Sequence, residues 1–209
     1  MPAMTDSFAL LNEPRRPWIE PDSLQAKFLA LSAEVHPDRF HNAAAAEKQA
    51  ATQRYTELNA AYNCLREPKE RLLHLLTLER GSKPKDVQQL PAGTMELFSE
   101  VAELCRKVDG FLAERAKVSS PLLRVQMFER SQGWTGDLSA LQQRIGAERD
   151  QLMAELRVMN AAWESAPPVG SPARPGALPL ERLEELYRAF SYVTRWTAQL
   201  QERLVQLSI

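Results

Sequence analysis

Residues 21–40 read PDSLQAKFLALSAEVHPDRF, and this stretch decides how the N-terminal part of the chain folds. Its apolar residues recur at alternating steps of four and three: Leu24, Phe28, Leu31 and Val35. The spacing predicts an amphipathic helix, because positions three or four apart share one helix face. Pro37 has no backbone N–H and biases the residue before it away from helical dihedrals, so we expect the helix to end before His36-Pro37-Asp38.

A second apolar stripe begins after a polar gap. It consists of Ala51, Tyr55, Leu58, Tyr62 and Leu65, again at heptad-like steps. Each of the two helices alone would expose an apolar face, so we expect them to form an antiparallel hairpin over about residues 22–66. The tripeptide then lies in the exposed loop between two rigid helices, a position from which loops often bind partners.

A longer pattern follows in residues 58–78, which read LNAAYNCLREPKERLLHLLTL. From Asn59 onward these residues fit N-x-A-Y-x-x-L-R-x-P-x-x-R-x-x-x-L-L-x-L. With HPD between two amphipathic helices, the chain resembles the J domain of HscB-type co-chaperones over about residues 7–80. The resemblance implies a co-chaperone of iron–sulfur cluster assembly, whose J domain docks on a DnaK- or HscA-type chaperone and stimulates its ATPase.

The same resemblance implies which residues meet the chaperone. His36, Pro37 and Asp38 would carry the stimulation, with Asp38 accepting hydrogen bonds or pairing with an arginine of the chaperone. Arg39 follows the motif directly. J domains also present a basic face on the second helix, and here that helix offers Lys27, so we expect little electrostatic steering of the encounter.

The C-terminal part shows helical periods and no strand pattern, so we predict an all-α protein. The predicted architecture is a J-domain hairpin in residues 1–81, a linker in 82–93 and an antiparallel three- to four-helix bundle in 94–209. Ser119-Ser120-Pro121 is expected to end the first bundle helix. Gly133 and Gly136 are expected to form a turn, and the proline-rich residues 166–179 a flexible or extended loop.

The first bundle helix also carries the expected client site. In HscB-type proteins an apolar patch with acidic neighbours on this helix holds the scaffold protein IscU, and the matching residues here are Leu97, Phe98 and Val101. Tyr192 matches an aromatic residue on the last helix, and we expect it to join the patch if that helix runs antiparallel to the first. All four residues also fit core positions of a bundle, and the client could differ from IscU. The chain would then be an interaction protein that uses its J domain to dock another client.

Composition limits the other classes of function. The formal net charge is −1 and no basic run stands out, which argues against a nucleic-acid partner. No apolar run approaches the roughly 20 residues of a membrane span, and the N-terminus lacks the pattern of a signal peptide. Cys64 and Cys105 are isolated, which is typical of free thiols in the cytoplasm. The chain also lacks glycine/phenylalanine-rich and C-x-x-C-x-G-x-G segments, as expected of a specialised J protein.

Two chemical alternatives concern the same loop. His36, Asp38 and His41 are three potential metal ligands within six residues, and His36 with Asp38 could form an acid–base pair. No nucleophile or phosphate-binding loop accompanies them. We therefore expect no metal, no cofactor and no enzymatic activity of the chain's own, although a purely structural helix pair remains a further interpretation.

Overall fold

The structure is a computed structural model that describes residues 5–84 and 95–208. Its helices are α1 (Ser7–Leu10), α2 (Pro21–Glu34), α3 (Ala45–Arg66), α4 (Pro68–Arg80), α5 (Met95–Arg115), α6 (Pro121–Glu164), α7 (Arg174–Ala177) and α8 (Leu180–Ser208), with a 3-10 turn at Pro37–Phe40. Within the described ranges there is no β-strand, which confirms the all-α prediction.

The hairpin forms as the apolar stripes predict. The rings of Phe28 on α2 and Tyr62 on α3 stack with their centroids 4.4 Å apart, and Leu24, Leu58 and Leu65 are buried. Helix α2 begins with Pro21 at its first position, and the preceding residue makes no side-chain cap. Proline suits that position, where a backbone N–H would have no helical partner.

The chain divides into two compact units. Among the described residues, the first unit comprises 5–84 and 154–187, and the second comprises 95–153 and 188–208. Helices α6 and α8 therefore each contribute to both units. The predicted linker lies mostly outside the described residues, so the boundaries at 81 and 94 stay predictions.

Residues 166–179 are not the flexible or extended loop that their prolines suggested. They contain α7, and the buried Arg174 of this helix forms a bidentate ion pair with the buried Glu79 of α4, at 2.8 and 3.0 Å. Arg174 also donates to the Pro167 carbonyl at 2.7 Å. A partner 95 positions away fixes this segment, and proline content does not reveal such a contact.

The predicted turn at Gly133 and Gly136 is also wrong, because α6 runs unbroken for 44 residues. Each glycine inside a helix costs about 1 kcal/mol relative to alanine. Side chains on both sides of the pair are anchored, since Ser131 and Leu138 are buried. Packing of the flanking turns outweighs the local preference. The predicted break before Pro121 is present, between α5 and α6.

Three helices form the second unit: α5, the first part of α6 and the end of α8. Its core includes Val101, Cys105, Val108, Phe111, Leu138, Leu141, Ile145, Val193, Trp196 and Leu200. Consecutive helices run antiparallel, so the first and the last run parallel. Arg203 accordingly pairs with Asp109 at 2.7 Å, and Arg115 at the end of α5 donates to the Leu207 carbonyl near the end of α8.

Candidate functional site

The tripeptide forms the first residues of the 3-10 turn that joins α2 to α3. His36 is the N-cap of this turn, and its Nδ1 accepts a hydrogen bond from the Asp38 backbone N–H at 3.3 Å. The Arg39 N–H donates to the His36 carbonyl at 3.0 Å. Pro37 suits the first position of the turn because its fixed φ is already near the required value. The loop is therefore a defined turn held by hydrogen bonds of its own.

The side chains of the tripeptide differ in their exposure and in their contacts. The His36 ring lies edge-on to the Tyr55 ring of α3, with centroids 5.3 Å apart. The Asp38 side chain is 90% exposed, and His41 Nδ1 lies 2.9 Å from the Asp38 carbonyl. Because His36 Nδ1 accepts from the backbone, its 3.5 Å approach to the Asp38 carboxylate is not a second hydrogen bond. The carboxylate thus faces solvent on a fixed backbone.

Tyr55 is a residue of this site that sequence reasoning placed only in the apolar stripe of α3. It is half-buried, and its ring limits how the His36 imidazole can turn. Its heptad position on the face toward α2 was the available signal, but its contact with the loop depends on the path of the turn.

The two predicted cations both engage groups of the chain itself. Lys27 Nζ lies 2.8 Å from the carboxylate of Glu13, whose side chain is fully buried, and it donates to the Asn12 carbonyl at 3.1 Å. Arg39 Nη1 donates to the Ala33 carbonyl near the end of α2, at 3.1 Å, where a positive charge suits the helix dipole. Both side chains therefore stabilise the conformation of α2 and of the loops at its two ends.

The motif that carries the resemblance is mainly structural. The buried Arg71 donates through Nε to the Pro17 carbonyl at 2.8 Å and through Nη1 to the Leu65 carbonyl. Burial lowers the pKa of its guanidinium to about 10. Asn59 donates to the Tyr55 carbonyl one turn earlier, at 2.8 Å. Arg71 thus ties α4 to the end of α3 and to the loop before α2, whereas the bond of Asn59 stays within α3.

Among the described residues, no group of three or more histidine, cysteine, aspartate or glutamate side chains is placed to hold a metal ion. Over the same part of the chain, no helix is both long and apolar enough to cross a membrane.

The expected client residues lie on α5 with different exposures. Phe98 is 41% exposed, Leu97 is half-buried, and Val101 is 2% exposed. The structure therefore places Val101 in the core of the second unit rather than on the predicted surface patch. The physical reason is the helix period, since Val101 shares its face with the buried Cys105 and Val108.

Tyr192 lies at the same height along the bundle as Phe98, but α8 does not have the expected direction. The last helix runs parallel to α5, not antiparallel, and the same step of 94 positions that relates Asp109 to Arg203 relates Phe98 to Tyr192. Its ring contacts among the described residues are with Trp196 and Arg195 on its own helix. The structure thus sets Tyr192 level with Phe98, without a ring contact between them in the described part.

The acids near this patch are engaged within the unit. Glu100 pairs with Arg144 of α6, and Glu103 pairs with Lys107 one turn along α5, at 2.8 Å. The hydrogen bond from Lys107 lowers the pKa of the Glu103 carboxyl. The carboxylates of Glu100 and Glu103 therefore have little free charge to offer a partner beside Phe98.

Two relatives of this chain carry the same description. A protein of Bordetella pertussis described as a co-chaperone protein HscB homolog is 32% identical over 129 residues, which cover 59% of this chain and 76% of the relative. The chain belongs to the HscB family of co-chaperones. A homologue with the same description in Burkholderia mallei is 37% identical over 100 residues, or 46% of this chain and 57% of that protein. No protein-family model matches this HscB-family chain.

Solved structures of the family have the same fold as this HscB-family chain. Chaperone HscB from Vibrio cholerae superimposes with a TM-score of 0.63 at 20% identity, covering 97% of this chain and 99% of that one. Human co-chaperone HscB gives a TM-score of 0.61 at 19% identity, covering 100% and 85% of the two chains.

Proposed function

We propose that this HscB-family protein stimulates the ATPase of a DnaK- or HscA-type chaperone through His36-Pro37-Asp38, and delivers a client bound by its C-terminal helices. By resemblance, the client is an IscU-type iron–sulfur scaffold. The protein then acts by binding, as an activator of its partner's ATPase rather than as an enzyme. The observation that carries the proposal is the exposed Asp38 carboxylate on a loop whose backbone is fixed by its own hydrogen bonds.

The geometry supports a contact role for this loop. A carboxylate on a turn with a fixed backbone loses little further freedom on binding, so an ion pair with an arginine of the chaperone retains more of its free energy. Pro37 fixes the backbone conformation with which the loop approaches the chaperone, and Tyr55 restrains the imidazole of His36. Since Lys27 and Arg39 already contact groups of the chain, they act mainly as positioning residues for the loop and α2.

The first prediction tests the tripeptide. Replacing Asp38 with asparagine should remove the stimulation of the chaperone's ATPase, because the uncharged amide loses the charge-assisted contact. Asp38 is exposed, so the free energy of unfolding should change by no more than about 0.5 kcal/mol. Steady-state ATPase turnover of DnaK- and HscA-type chaperones and thermal melting of the same variant measure the two effects.

Asp22→Asn is the matched control, since Asp22 is also an exposed carboxylate of this part of the chain but lies at the start of α2. It should stimulate as well as the wild type. Full stimulation by Asp38→Asn would remove the site, and a large fall in its melting temperature would make Asp38 a structural residue.

The second prediction concerns the client. Phe98→Ala should weaken binding of an IscU-type scaffold by about 1–2 kcal/mol, because exposed aromatic side chains are frequent anchors of protein interfaces. Binding should change little between low and moderate salt, since Glu100 and Glu103 are already paired. Isothermal titration calorimetry with the full chain measures both quantities.

Val158→Ala is the control, since Val158 is 77% exposed and lies on another helix. It should bind like the wild type. No binding of the scaffold by any form would favour the alternative function, in which the J domain serves a different client. The buried Val101 and the paired acids are the observations that keep this alternative open.

A further inference from the structure

The first turns of α6 carry a dense apolar surface. Leu122, Val125 and Phe128 are 70%, 57% and 64% exposed, and their spacing of three places them on one side of the helix. The half-buried Met127 lies on the opposite side of the helix, and the stripe ends at Ser131, the next position at this spacing, which is buried. The stripe therefore points away from the core of its own unit.

The size of this surface suits an interaction site. These three large side chains, each exposed by more than half on one helix face, present on the order of a few hundred Å² of apolar surface. Patches of that size commonly mark interaction sites. The client site proposed above does not use them, because it lies on α5 near Phe98.

Charges on the two borders of the stripe indicate what covers it. If Val125 and Phe128 are assigned to positions a and d of a heptad, Arg124 takes position g and Glu129 takes position e. In two parallel helices, position g of one helix lies beside the following position e of the other. Each Arg124 would then meet the partner's Glu129, and twofold symmetry repeats the contact.

The opposite orientation is disfavoured by the same charges. In two antiparallel helices, g lies beside g and e beside e, so Arg124 would face the partner's Arg124 and Glu129 the partner's Glu129. The segment is thus complementary to itself in one orientation only.

Both charges are available for such a contact. Arg124 reaches the Val118 carbonyl through Nε at 3.5 Å, which leaves the other N–H groups of the guanidinium free to donate. Glu129 is exposed and takes part in no ion pair with the residues that the structure describes. Neither side chain must break a strong contact in order to pair.

We propose that the protein forms a twofold dimer in which the start of α6 pairs in parallel with the same segment of a second copy. The seam consists of Val125 and Phe128, covered by Leu122 and bordered by reciprocal Arg124–Glu129 pairs. The buried area lies below the roughly 1,200 Å² of standard interfaces, so the dimer forms at high protein concentration and dissociates on dilution. Such a dimer carries two copies of the chaperone-activating tripeptide.

Sedimentation velocity of the full chain between about 10 and 500 µM tests the dimer. The wild type should shift from monomer toward dimer with concentration. Arg124→Glu and Glu129→Arg should each remove the shift, because like charges then face each other, and the double reversal should restore it. Phe128→Gln should also stay monomeric, whereas Val158→Gln, an exposed apolar site elsewhere, should behave like the wild type.

Circular dichroism melts establish that each variant is folded, as expected for exposed positions. A wild type that stays monomeric over the whole range overturns the proposal. So does a dimer that is unchanged by the single reversals, or a double reversal that does not recover the shift. ATPase stimulation is measured separately, so loss of dimerisation with normal stimulation leaves the proposed co-chaperone function intact.

Discussion

His74 is held in its neutral form by the residues around it. The Ser7 backbone N–H donates to Nε2 at 3.0 Å, and the Phe8 ring stacks on the imidazole with centroids 5.8 Å apart. Burial lowers the pKa of His74, Asp6 acts in the opposite direction, and Arg15 adds to the lowering. An imidazole whose Nε2 accepts a backbone hydrogen bond loses that bond when it is protonated.

This environment predicts how stability depends on pH. A folded-state pKa below the ordinary value means that the unfolded chain binds the proton more readily. The contribution of His74 is therefore complete above about pH 6.5 and is lost as the pH falls through the folded-state pKa. In thermal melts, the wild type should lose more stability between pH 6.5 and about pH 5 than His74→Gln does.

Glutamine keeps an acceptor near the position of Nε2 and does not titrate, so it isolates the ionisation from the hydrogen bond. His41→Gln is the control, because His41 is exposed, and it should keep the steep pH dependence of the wild type. Equal slopes for the wild type and His74→Gln would show that another group is responsible for the acid sensitivity.

At the level of the elements, α6 shows how packing overrides a local signal. Gly133 and Gly136 are exposed, they lie in the helix interior, and a Cβ added at either position meets nothing within 4 Å. Glycine contributes no packing there and weakens the helix. Its only effect on the element is the entropic cost of ordering it.

Gly136→Ala should therefore stabilise the protein by about 0.5–1 kcal/mol, measured as a higher midpoint of urea unfolding. Gly81→Ala gives the contrasting result. Gly81 ends α4 with φ at +72°, a left-handed conformation that costs alanine about 1 kcal/mol or more. If Gly136→Ala lowered the midpoint, α6 would have to bend at that position, as the sequence pattern suggested.

At the level of the whole molecule, the first unit needs residues far apart in sequence. Asn160 donates to the Trp18 carbonyl and accepts from the Trp18 N–H, both at 2.9 Å, and Arg157 lies over the Trp18 ring. The buried Arg174–Glu79 pair adds a second tie between the late segment and α4. The J-domain hairpin is thus part of a larger compact unit that includes residues 154–187.

Arg174→Met should destabilise the protein by about 3–5 kcal/mol, because it leaves the buried Glu79 carboxylate without its main partner. Arg15, 4.0 Å from Glu79, is too distant to replace the bidentate contact. Urea unfolding measures the change. Adding Glu79→Leu to Arg174→Met should recover most of the loss, since no uncompensated charge then remains in the core.

The exposed pair Arg182–Glu155 is the control for this experiment. Arg182→Met should cost less than about 1 kcal/mol, because solvent screens the pair. An equally small loss for Arg174→Met would mean that the late segment contributes little to the first unit.

The sequence alone determined the features that depend on local spacing. Apolar residues at steps of three and four specify which positions of α2 and α3 face each other, and Pro37 sets where α2 ends. The position of the tripeptide between two helices follows from these short-range rules, as does the all-α fold. These parts of the fold and site could be predicted because each depends on neighbours within one or two helical turns.

Only the tertiary structure decided which side chains are free to act. The sequence predicts Lys27 and Arg39 as surface cations. In the structure, Lys27 pairs with the buried Glu13, and Arg39 donates to a carbonyl near the end of α2. Val101 faces the core, and Tyr192 reaches the level of Phe98 through a parallel helix. Residues 166–179 are ordered by a glutamate 95 positions from Arg174. A helical period specifies one face of one helix, whereas these outcomes depend on which distant groups that face meets.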